Sequence, residues 1–330
     1  MSLSDRVSRL REHSLNTPAT LSGERARLMT EFYHQDIGTV STPVYRALAF
    51  QYLMDKKKIF IGEGELIVGE RGPAPKATPT FPEICCHTMD DLEVLNSRDK
   101  ISFNVTDEVR ELHRDHVIPY WSGRSLRDLI FAEMTDEWKA AYKAGIFTEF
   151  MEQRAPGHTV LDDKIYQKGF LDFKQDITAS MDSLDFLNDP NAYDKQEQLK
   201  AMSICAYALI HYAYRHAQVA RSVAQTESDP RRRGELLRIA EVCRRVPGNP
   251  PRDFWEALQY YWFVHVGVIT ELNTWDSFNP GRLDQHLYPF YEKGLANGSL
   301  TRDRARELLQ CFWIKFNNHP APPKVGVTAE

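Results

Sequence analysis

The sequence predicts a mostly α-helical protein with a few β-strands. Apolar residues recur at spacings of three and four along most of the 330 residues, which is the pattern of amphipathic helices. Short β-branched runs bounded by glycine are few. Neither a repeat period nor a linker rich in Gly and Ser divides the chain, so residues 1–330 are predicted to form one cooperative unit.

The first 82 residues begin with helices and then change character. Helices are predicted over 5–15, 22–35 and 43–57, with Pro43 suited to the first turn of the third. The run 65–70 is short and β-branched and lies between glycines, so it is predicted to be a strand. Four prolines and one glycine between residues 70 and 82 predict a loop.

Helices dominate the rest of the chain. They are predicted over 89–96, 106–121, 125–133, 136–145, 165–187, 194–226, 230–245, 251–270, 283–296 and 301–317. The Ala-rich helix 194–226 is expected to pair antiparallel with 230–245, and Thr301 is expected to cap the last helix. Residues 325–328 alternate like a strand, which needs a neighbouring strand, so the parent fold is expected to continue beyond Glu330.

Composition favours an ordinary globular protein in a reducing compartment. The net charge of −5 gives no bulk attraction for nucleic acid or for an anionic membrane. No apolar run reaches the roughly 18 residues of a membrane span, and the polar N-terminus lacks a signal-peptide core. The five cysteines are sparse and odd in number, which argues against a disulfide scaffold. The predicted location is therefore cytoplasmic.

A block at 147–160, FTEFMEQRAPGHTV, places polar and aromatic side chains around a Pro-Gly turn. His158 follows Gly157, where the backbone can approach another element closely. His158 is thus a candidate site residue, or a buried histidine that holds a loop carbonyl. Phe150 fits either a pocket or the core, and Arg154 fits either a site or a surface ion pair.

The second block follows the apolar helix 251–270. Asp276 lies between Trp275 and Phe278, so burial would remove water from its carboxylate and raise its pKa unless a cation or a donor compensated. Such an acid either caps the following helix or belongs to a site. The residues alone leave both interpretations open.

The sequence contains no motif for a zinc site, a phosphate-binding loop or a serine nucleophile. Cys85, Cys86 and His87 are adjacent, whereas zinc ligands are usually separated by two to four residues and need a second pair elsewhere. The sequence contains neither a phosphate-binding glycine loop nor a Gly-x-Ser-x-Gly elbow. We therefore expect this chain to bind no metal.

Four of these blocks together resemble the glycyl radical enzymes of the pyruvate formate-lyase superfamily. They cover residues 147–160, 271–276, 280–286 and 316–326, and the blocks 64–70 and 82–89 fit as well. The resemblance spans nearly the whole chain. Within the superfamily it is strongest to the branch that dehydrates trans-4-hydroxy-L-proline.

The resemblance implies an α/β barrel of ten strands wrapped in helices, of which this chain would be the N-terminal part. The family's thiyl cysteine loop and its glycyl radical motif are not found within residues 1–330, so the chain is expected to be inactive alone. It is expected to bind no cofactor itself. A separate iron–sulfur enzyme that uses S-adenosylmethionine would install the radical, and the resemblance leaves a homodimer open.

The resemblance also assigns roles to three residues. Phe150 would pack on the pyrrolidine ring of the substrate, His158 would lie near the leaving hydroxyl, and Asp276 would join the polar network around the substrate. Dehydration to pyrroline-5-carboxylate needs a proton donor, and histidine has a suitable pKa. Two alternatives stay open: another glycyl radical lyase, acting on isethionate, an arylacetate or a diol, or a non-catalytic truncated helical protein.

Overall fold

The computed structural model describes residues 4–147, 161–272 and 279–323, and most of these lie in α-helices, as predicted. In chain order the helices are α1 (Asp5–Asn16), α2 (Glu24–Tyr33), α3 (Thr42–Lys56), α4 (Met89–Ser97), α5 (Asp107–Leu112), α6 (Ile118–Trp121), α7 (Leu126–Glu133), α8 (Asp136–Lys143), α9 (Lys164–Gln167), α10 (Phe170–Asp182), α11 (Ala192–Thr226), α12 (Pro230–Arg245), α13 (Phe254–Glu271), α14 (Leu283–Ala296) and α15 (Arg302–Asn317). A π-helical segment, His113–Val117, joins α5 to α6.

The main core forms around α13, which packs against α11, α12, α14 and α15. Almost every residue of α13 is buried, including the large side chains Tyr260, Trp262 and Phe263. A helix that is apolar on all sides is stable only when other elements surround it. Each fully buried side chain of this size contributes about 1.5–3 kcal/mol, so α13 is the rigid centre against which neighbouring polar groups are positioned.

Two short parallel strands pair next to this core. They are β1 (Thr20–Ser22) and β2 (Ala77–Pro79), with Thr20 opposite Ala77. The prediction of loop throughout 70–82 is therefore wrong at β2. The chain before β2 folds back closely, since a Cβ atom on Gly72 would lie 2.3 Å from the carbonyl oxygen of Ala77.

The predicted strand at 65–70 is wrong, although the segment is buried and apolar as expected. Its backbone groups bond to side chains instead of to a partner strand. Gln259 accepts from the Val68 amide at 2.9 Å and donates to the Val68 carbonyl at 2.8 Å. The indoles of Trp255 and Trp262 donate to the carbonyls of Leu66 and Gly69, each at 2.8 Å. Side chains of α13 thus satisfy buried backbone groups that a sheet would otherwise satisfy.

Several predicted helix boundaries are confirmed, and others shift for identifiable reasons. Thr301 caps α15 by accepting from the Arg304 amide at 3.1 Å. The predicted helix 165–187 is instead the two helices α9 and α10, which break before Gly169. A Cβ atom there would lie 2.2 Å from the Gly248 carbonyl oxygen, so the close approach of the 246–249 loop fixes the break.

Among the described helices, none combines the length and the apolar composition needed to cross a membrane. The predicted strand 325–328 lies outside the described residues. Barrel closure therefore remains an expectation for the longer parent, since β1 and β2 are the paired strands of the described part.

Candidate active site

The three residues predicted for the site, Phe150, His158 and Asp276, all lie outside the described residues, as does Arg154. The structure instead describes the elements on either side of those segments. Three features of the described residues bear on function. They are the carboxyl end of α13, a buried cluster of carboxylates, and a large cleft.

The carboxyl end of α13 holds a partly buried acid just before residue 273. The Nε atom of Arg46 donates to Glu271 Oε1 at 2.5 Å. The other carboxylate oxygen, Oε2, is buried and has no hydrogen-bond partner among residues 4–147, 161–272 and 279–323. Burial raises the pKa of Glu271, and the Arg46 guanidinium opposes that shift. An acid with one unsatisfied oxygen can accept a hydrogen bond from a ligand or from chain that approaches it.

A second arginine fixes the same end of α13. Arg25 is buried, and its Nε atom donates to the carbonyl oxygen of Thr270 at 2.7 Å. Its Nη1 and Nη2 atoms form a two-pronged ion pair with Glu83, and Nη1 reaches Glu83 Oε2 at 3.0 Å. A cation is favourable at a helix carboxyl terminus, where carbonyl oxygens lack intrahelical partners. We call Arg25, Arg46, Glu83, Thr270 and Glu271 the α13 end.

The second feature lies where α15 ends. Lys315 is buried between two acids: its Nζ atom donates to Glu65 Oε1 at 2.8 Å and also contacts Glu70. The Nε2 atom of His319 lies 2.7 Å from Glu70 Oε2, and the Asn318 amide lies 3.3 Å from Glu70 Oε1. We call Glu65, Glu70, Lys315, Asn318 and His319 the carboxylate cluster.

The pKa shifts in the carboxylate cluster follow from this pairing. Burial opposes ionisation of Glu70, but the Lys315 ammonium and the His319 hydrogen bond outweigh it and lower the pKa of Glu70 to about 2. Burial lowers the pKa of His319 to about 4, against the attraction of Glu70. Near neutral pH the cluster therefore holds an ionised Glu70, a charged Lys315 and a neutral His319, an arrangement suited to holding α15 against the 65–70 segment.

The third feature is a cleft of about 960 Å³ between α1, residues 62–67, α12 and α15. Charged side chains line it, and several of them pair with each other. Arg6 contacts Glu235, and its Nε atom lies 3.2 Å from Glu307 Oε1, while Arg232 lies 3.3 Å from Glu235 Oε2. These ion pairs join α1, α12 and α15, and the volume of the cleft alone does not identify a site.

The described residues provide no group of three His, Cys, Asp or Glu side chains able to hold a metal. All five cysteines are free thiols. Burial raises the pKa of Cys86, of Cys205 and of Cys311 to about 12, so these thiols stay protonated at neutral pH and are poor nucleophiles. The Cys85-Cys86-His87 block belongs to a largely buried segment.

Sequence reasoning missed the residues of the α13 end and of the carboxylate cluster. The available signal was local: Glu70 and Arg71 end an apolar run, and Asn318 and His319 follow an amphipathic helix. Glu70, Asn318 and His319 lie in blocks that carried the family resemblance, yet nothing in the sequence paired Lys315 with acids some 250 residues away.

Comparison with known proteins agrees with this fold. The family model "Pyruvate formate lyase-like" matches residues 1–330. A trans-4-hydroxy-L-proline dehydratase of Clostridioides difficile is 55% identical over 98% of this chain and 41% of its own length. An isethionate sulfite-lyase of Nitratidesulfovibrio vulgaris is 31% identical over 94% of this chain and 38% of its own. This chain thus spans about two fifths of the length of these relatives.

Solved structures show the same likeness. The crystal structure of hydroxyproline dehydratase from Clostridioides difficile, with trans-4-hydroxy-L-proline bound, superposes with a TM-score of 0.94 at 55% identity and covers 98% of this chain and 41% of that one. A structure concerning 1,2-propanediol dehydration in Roseburia inulinivorans gives a TM-score of 0.90 at 32% identity, with coverage of 97% and 38%.

Proposed function

The chain belongs to the pyruvate formate lyase-like family, and from this membership we propose that it forms the N-terminal portion of a glycyl radical dehydratase. The proposed reaction removes water from trans-4-hydroxy-L-proline and yields pyrroline-5-carboxylate. The observation that carries the proposal is the high identity, over nearly the whole chain, to a dehydratase whose structure holds that substrate. We further propose that residues 1–330 are one part of a single larger catalytic domain.

The proposal assigns binding and proton-transfer roles to three residues of this chain. Phe150 packs on the pyrrolidine ring, Asp276 accepts a hydrogen bond within the polar network around the substrate, and His158 donates a proton to the leaving hydroxyl. The glycyl radical, carried outside this chain, would generate the cysteine thiyl radical that abstracts a hydrogen atom from the ring. Proton donation by a positioned histidine contributes typically about 10²- to 10⁴-fold to a rate.

The described residues support this assignment by what they hold in place. Arg25 bonds to the Thr270 carbonyl, and Arg46 bonds to Glu271, so the chain is fixed immediately before the segment that contains Asp276. Both contacts attach the carboxyl end of α13 to elements from the first third of the chain. Positioning of this kind is what a dehydratase needs, because small displacements of catalytic groups cost rate.

The proposal also includes partners and location. A separate iron–sulfur enzyme that uses S-adenosylmethionine would install the radical, and a second copy of the chain would be available as a homodimer partner. We place the protein in the cytoplasm, where its five free thiols would stay reduced.

The test uses the full product of the reading frame, activated without oxygen by its activating enzyme. We expect pyrroline-5-carboxylate from trans-4-hydroxy-L-proline and no sulfite from isethionate. His158→Gln should keep the glycyl radical signal in electron paramagnetic resonance and lower turnover by about 10²-fold or more. His116→Gln, at an exposed position, is the matched control and should keep full turnover.

Two results would contradict the proposal. Sulfite release from isethionate without hydroxyproline turnover would move the protein to the sulfite-lyase branch of the family. Equal turnover by His158→Gln and the unmodified protein would remove His158 from the mechanism while leaving the substrate assignment intact.

A further inference from the structure

The structure brings together the two stretches of chain that directly follow the candidate site segments. Residues 161–167 follow the segment that contains His158, and residues 279–290 follow the segment that contains Asp276. These stretches are far apart in sequence, yet they meet where α9 lies next to the first part of α14. A contact at this place can therefore link the two candidate site segments to each other.

Two kinds of interaction form this contact. The rings of Tyr166 and His286 have centroids 5.2 Å apart, and the ring of Phe290 lies 6.2 Å from that of Tyr166. The Oδ1 atom of Asp162 lies 3.3 Å from His286 Nε2. Aromatic rings at such separations attract each other, and a carboxylate attracts an imidazole that carries a proton on the facing nitrogen. We call Asp162, Tyr166, His286 and Phe290 the α9–α14 junction.

Both sides of the α9–α14 junction rest on the main core. Ile165, next to Tyr166, is fully buried, and Leu283 and Leu287, on either side of His286 in the sequence, are also buried. All three apolar residues belong to the core that forms around α13. Because this core is closely packed, α9 and α14 hold the junction at a fixed position.

The backbone beside the α9–α14 junction adopts an unfavourable conformation. Leu161 and Asp162 have φ angles of 54° and 48°, in the left-handed region that favours glycine. Aspartate tolerates this region, but leucine adopts it only at a cost. The turn is closed by the Lys164 amide, which donates to the Leu161 carbonyl oxygen at 3.2 Å. Such a conformation persists when surrounding contacts determine it, so tertiary contacts set the path of the chain shortly after His158.

The α9–α14 junction depends on ring packing rather than on a hydrogen-bond network. The Tyr166 hydroxyl oxygen and the His286 Nδ1 atom are buried and have no hydrogen-bond partner in the described part of the chain. Burial raises the pKa of Tyr166, so its hydroxyl stays protonated at neutral pH. A phenylalanine at position 166 would keep the ring without the unmade hydrogen bond, so the hydroxyl does not account for the contact.

We propose that the α9–α14 junction couples the stretch of chain that contains His158 to the one that contains Asp276 and so positions these two residues relative to each other. Asp162 and His286 are then positioning residues, which act through the chain instead of touching the substrate. The catalytic meaning of this coupling rests on the proposed function, because that proposal gives His158 and Asp276 their roles. Small displacements of catalytic groups lower a rate substantially, and the junction prevents such displacements.

Hydrogen exchange in the full-length protein, without activation or substrate, tests the coupling. Asp162→Gly removes the carboxylate, and glycine adopts a positive φ without strain, so exchange in residues 273–278 should become up to about fivefold faster. His286→Gln should have a similar effect in residues 148–160. Ile101→Gly, at an exposed position with a φ of 53°, is the matched control and should leave exchange in both stretches unchanged.

The exchange pattern separates positioning from a general loss of stability. An effect confined to the stretch next to the substituted residue would overturn the proposal, and so would faster exchange throughout the protein. Tyr166→Phe keeps the ring, so exchange in both stretches should match that of the unmodified protein. Because His286→Gln adds no glycine, a response shared with Asp162→Gly excludes the flexibility of glycine as its cause.

Turnover by the activated full-length protein provides the second test. Asp162→Gly and His286→Gln should each lower kcat on trans-4-hydroxy-L-proline by up to about fivefold, while the glycyl radical signal stays unchanged. The double variant should lose no more than the larger single effect, since both substitutions break one contact. Additive losses would contradict a shared contact and overturn the proposal.

Failure of the α9–α14 junction and failure of the proposed function give different results. Hydroxyproline turnover with unchanged exchange in the distant stretch would overturn the coupling and keep the proposed function. Coupled exchange in a protein that does not turn over hydroxyproline would overturn the proposed function and support the coupling.

Discussion

The carboxylate cluster and the α13 end both bury charge beside the core, but they satisfy it differently. In the carboxylate cluster, both oxygens of Glu70 have partners: Lys315 and Asn318 contact one, and His319 contacts the other. At the α13 end, Glu271 Oε2 and Thr270 Oγ1 have no hydrogen-bond partner among the described residues. His319 Nδ1 in the carboxylate cluster also has no partner among the described residues, so the contrast concerns the two carboxylates. A fully paired carboxylate holds elements together, whereas one with a free oxygen can accept a further hydrogen bond.

This contrast bears on where function is to be sought in the chain. The 960 Å³ cleft is lined in part by charges that pair with each other, and the carboxylate cluster holds α15 to the 65–70 segment. The α13 end is smaller, but it carries two unsatisfied groups, Glu271 Oε2 and Thr270 Oγ1, and directly precedes the segment that contains Asp276. Its position in the chain, together with these unmade hydrogen bonds, makes it the part of the described structure to test for function.

The largest expected effect comes from opening the carboxylate cluster. Lys315→Met leaves Glu65 and Glu70 buried without their cation, so the free energy of unfolding should fall by about 3–5 kcal/mol. Denaturant unfolding at pH 7 measures the change. Lys293→Met, at an exposed position of α14, is the control and should change stability little. A loss below about 1 kcal/mol for Lys315→Met would show that the cluster does not hold the scaffold together.

Acid should weaken the same cluster through His319. Its pKa is lowered by burial to about 4, so between about pH 4 and 6.5 the unfolded chain binds a proton that the folded chain does not. The stabilisation that depends on neutral His319 is therefore fully present above pH 6.5 and is lost as the pH falls toward 4. His319→Gln should reduce the slope of stability against pH by at most about 1.4 kcal/mol per pH unit. An unchanged slope would contradict the assignment of a neutral His319.

Glu70 extends the acid sensitivity to lower pH. Its pKa is depressed to about 2, where burial is outweighed by Lys315 and by the hydrogen bond from His319. The contribution of ionised Glu70 to stability is fully present above the ordinary carboxyl pKa of 4.5 and is lost as the pH falls toward 2. His319→Gln removes one of the groups that lower the pKa of Glu70 but keeps Lys315, so the Glu70 window should narrow and persist while the His319 window disappears.

A smaller effect is expected at the α13 end. Arg46 is 44% exposed and Glu271 is 19% exposed, so Arg46→Met should cost only about 1–2 kcal/mol at pH 8. Burial raises the pKa of Glu271, so the folded chain holds this proton more tightly than the unfolded chain, and the contribution of Glu271 to stability falls as the pH rises above about 4.5.

Removing Arg46 raises the pKa of Glu271 further. The stability difference between Arg46→Met and the unmodified protein should therefore grow as the pH rises from about 5 to 8. Denaturant unfolding across that range measures it, with Arg302→Met at an exposed position as the control. A difference that stays constant with pH would show that Arg46 contributes by packing rather than by charge.

Particular residues show how much of this molecule was predictable. The apolar spacing located the helices, Thr301 was identified as the cap of α15, and the pairing of α11 with α12 followed from their short connection. The 65–70 segment was misassigned because β-branched residues between glycines are compatible with any buried extended chain. Whether such a chain joins a sheet depends on which groups meet its backbone, and here Gln259, Trp255 and Trp262 do so.

The helical architecture, the family and three candidate residues, Phe150, His158 and Asp276, are predictable from the sequence because they depend on local spacing and on continuous blocks. The pairing of the buried charges becomes visible in the folded structure alone. Arg25 meets Glu83, and Lys315 meets acids 245 and 250 residues away. Pairing depends on distances of a few ångströms between side chains far apart in sequence, and no local pattern encodes those distances.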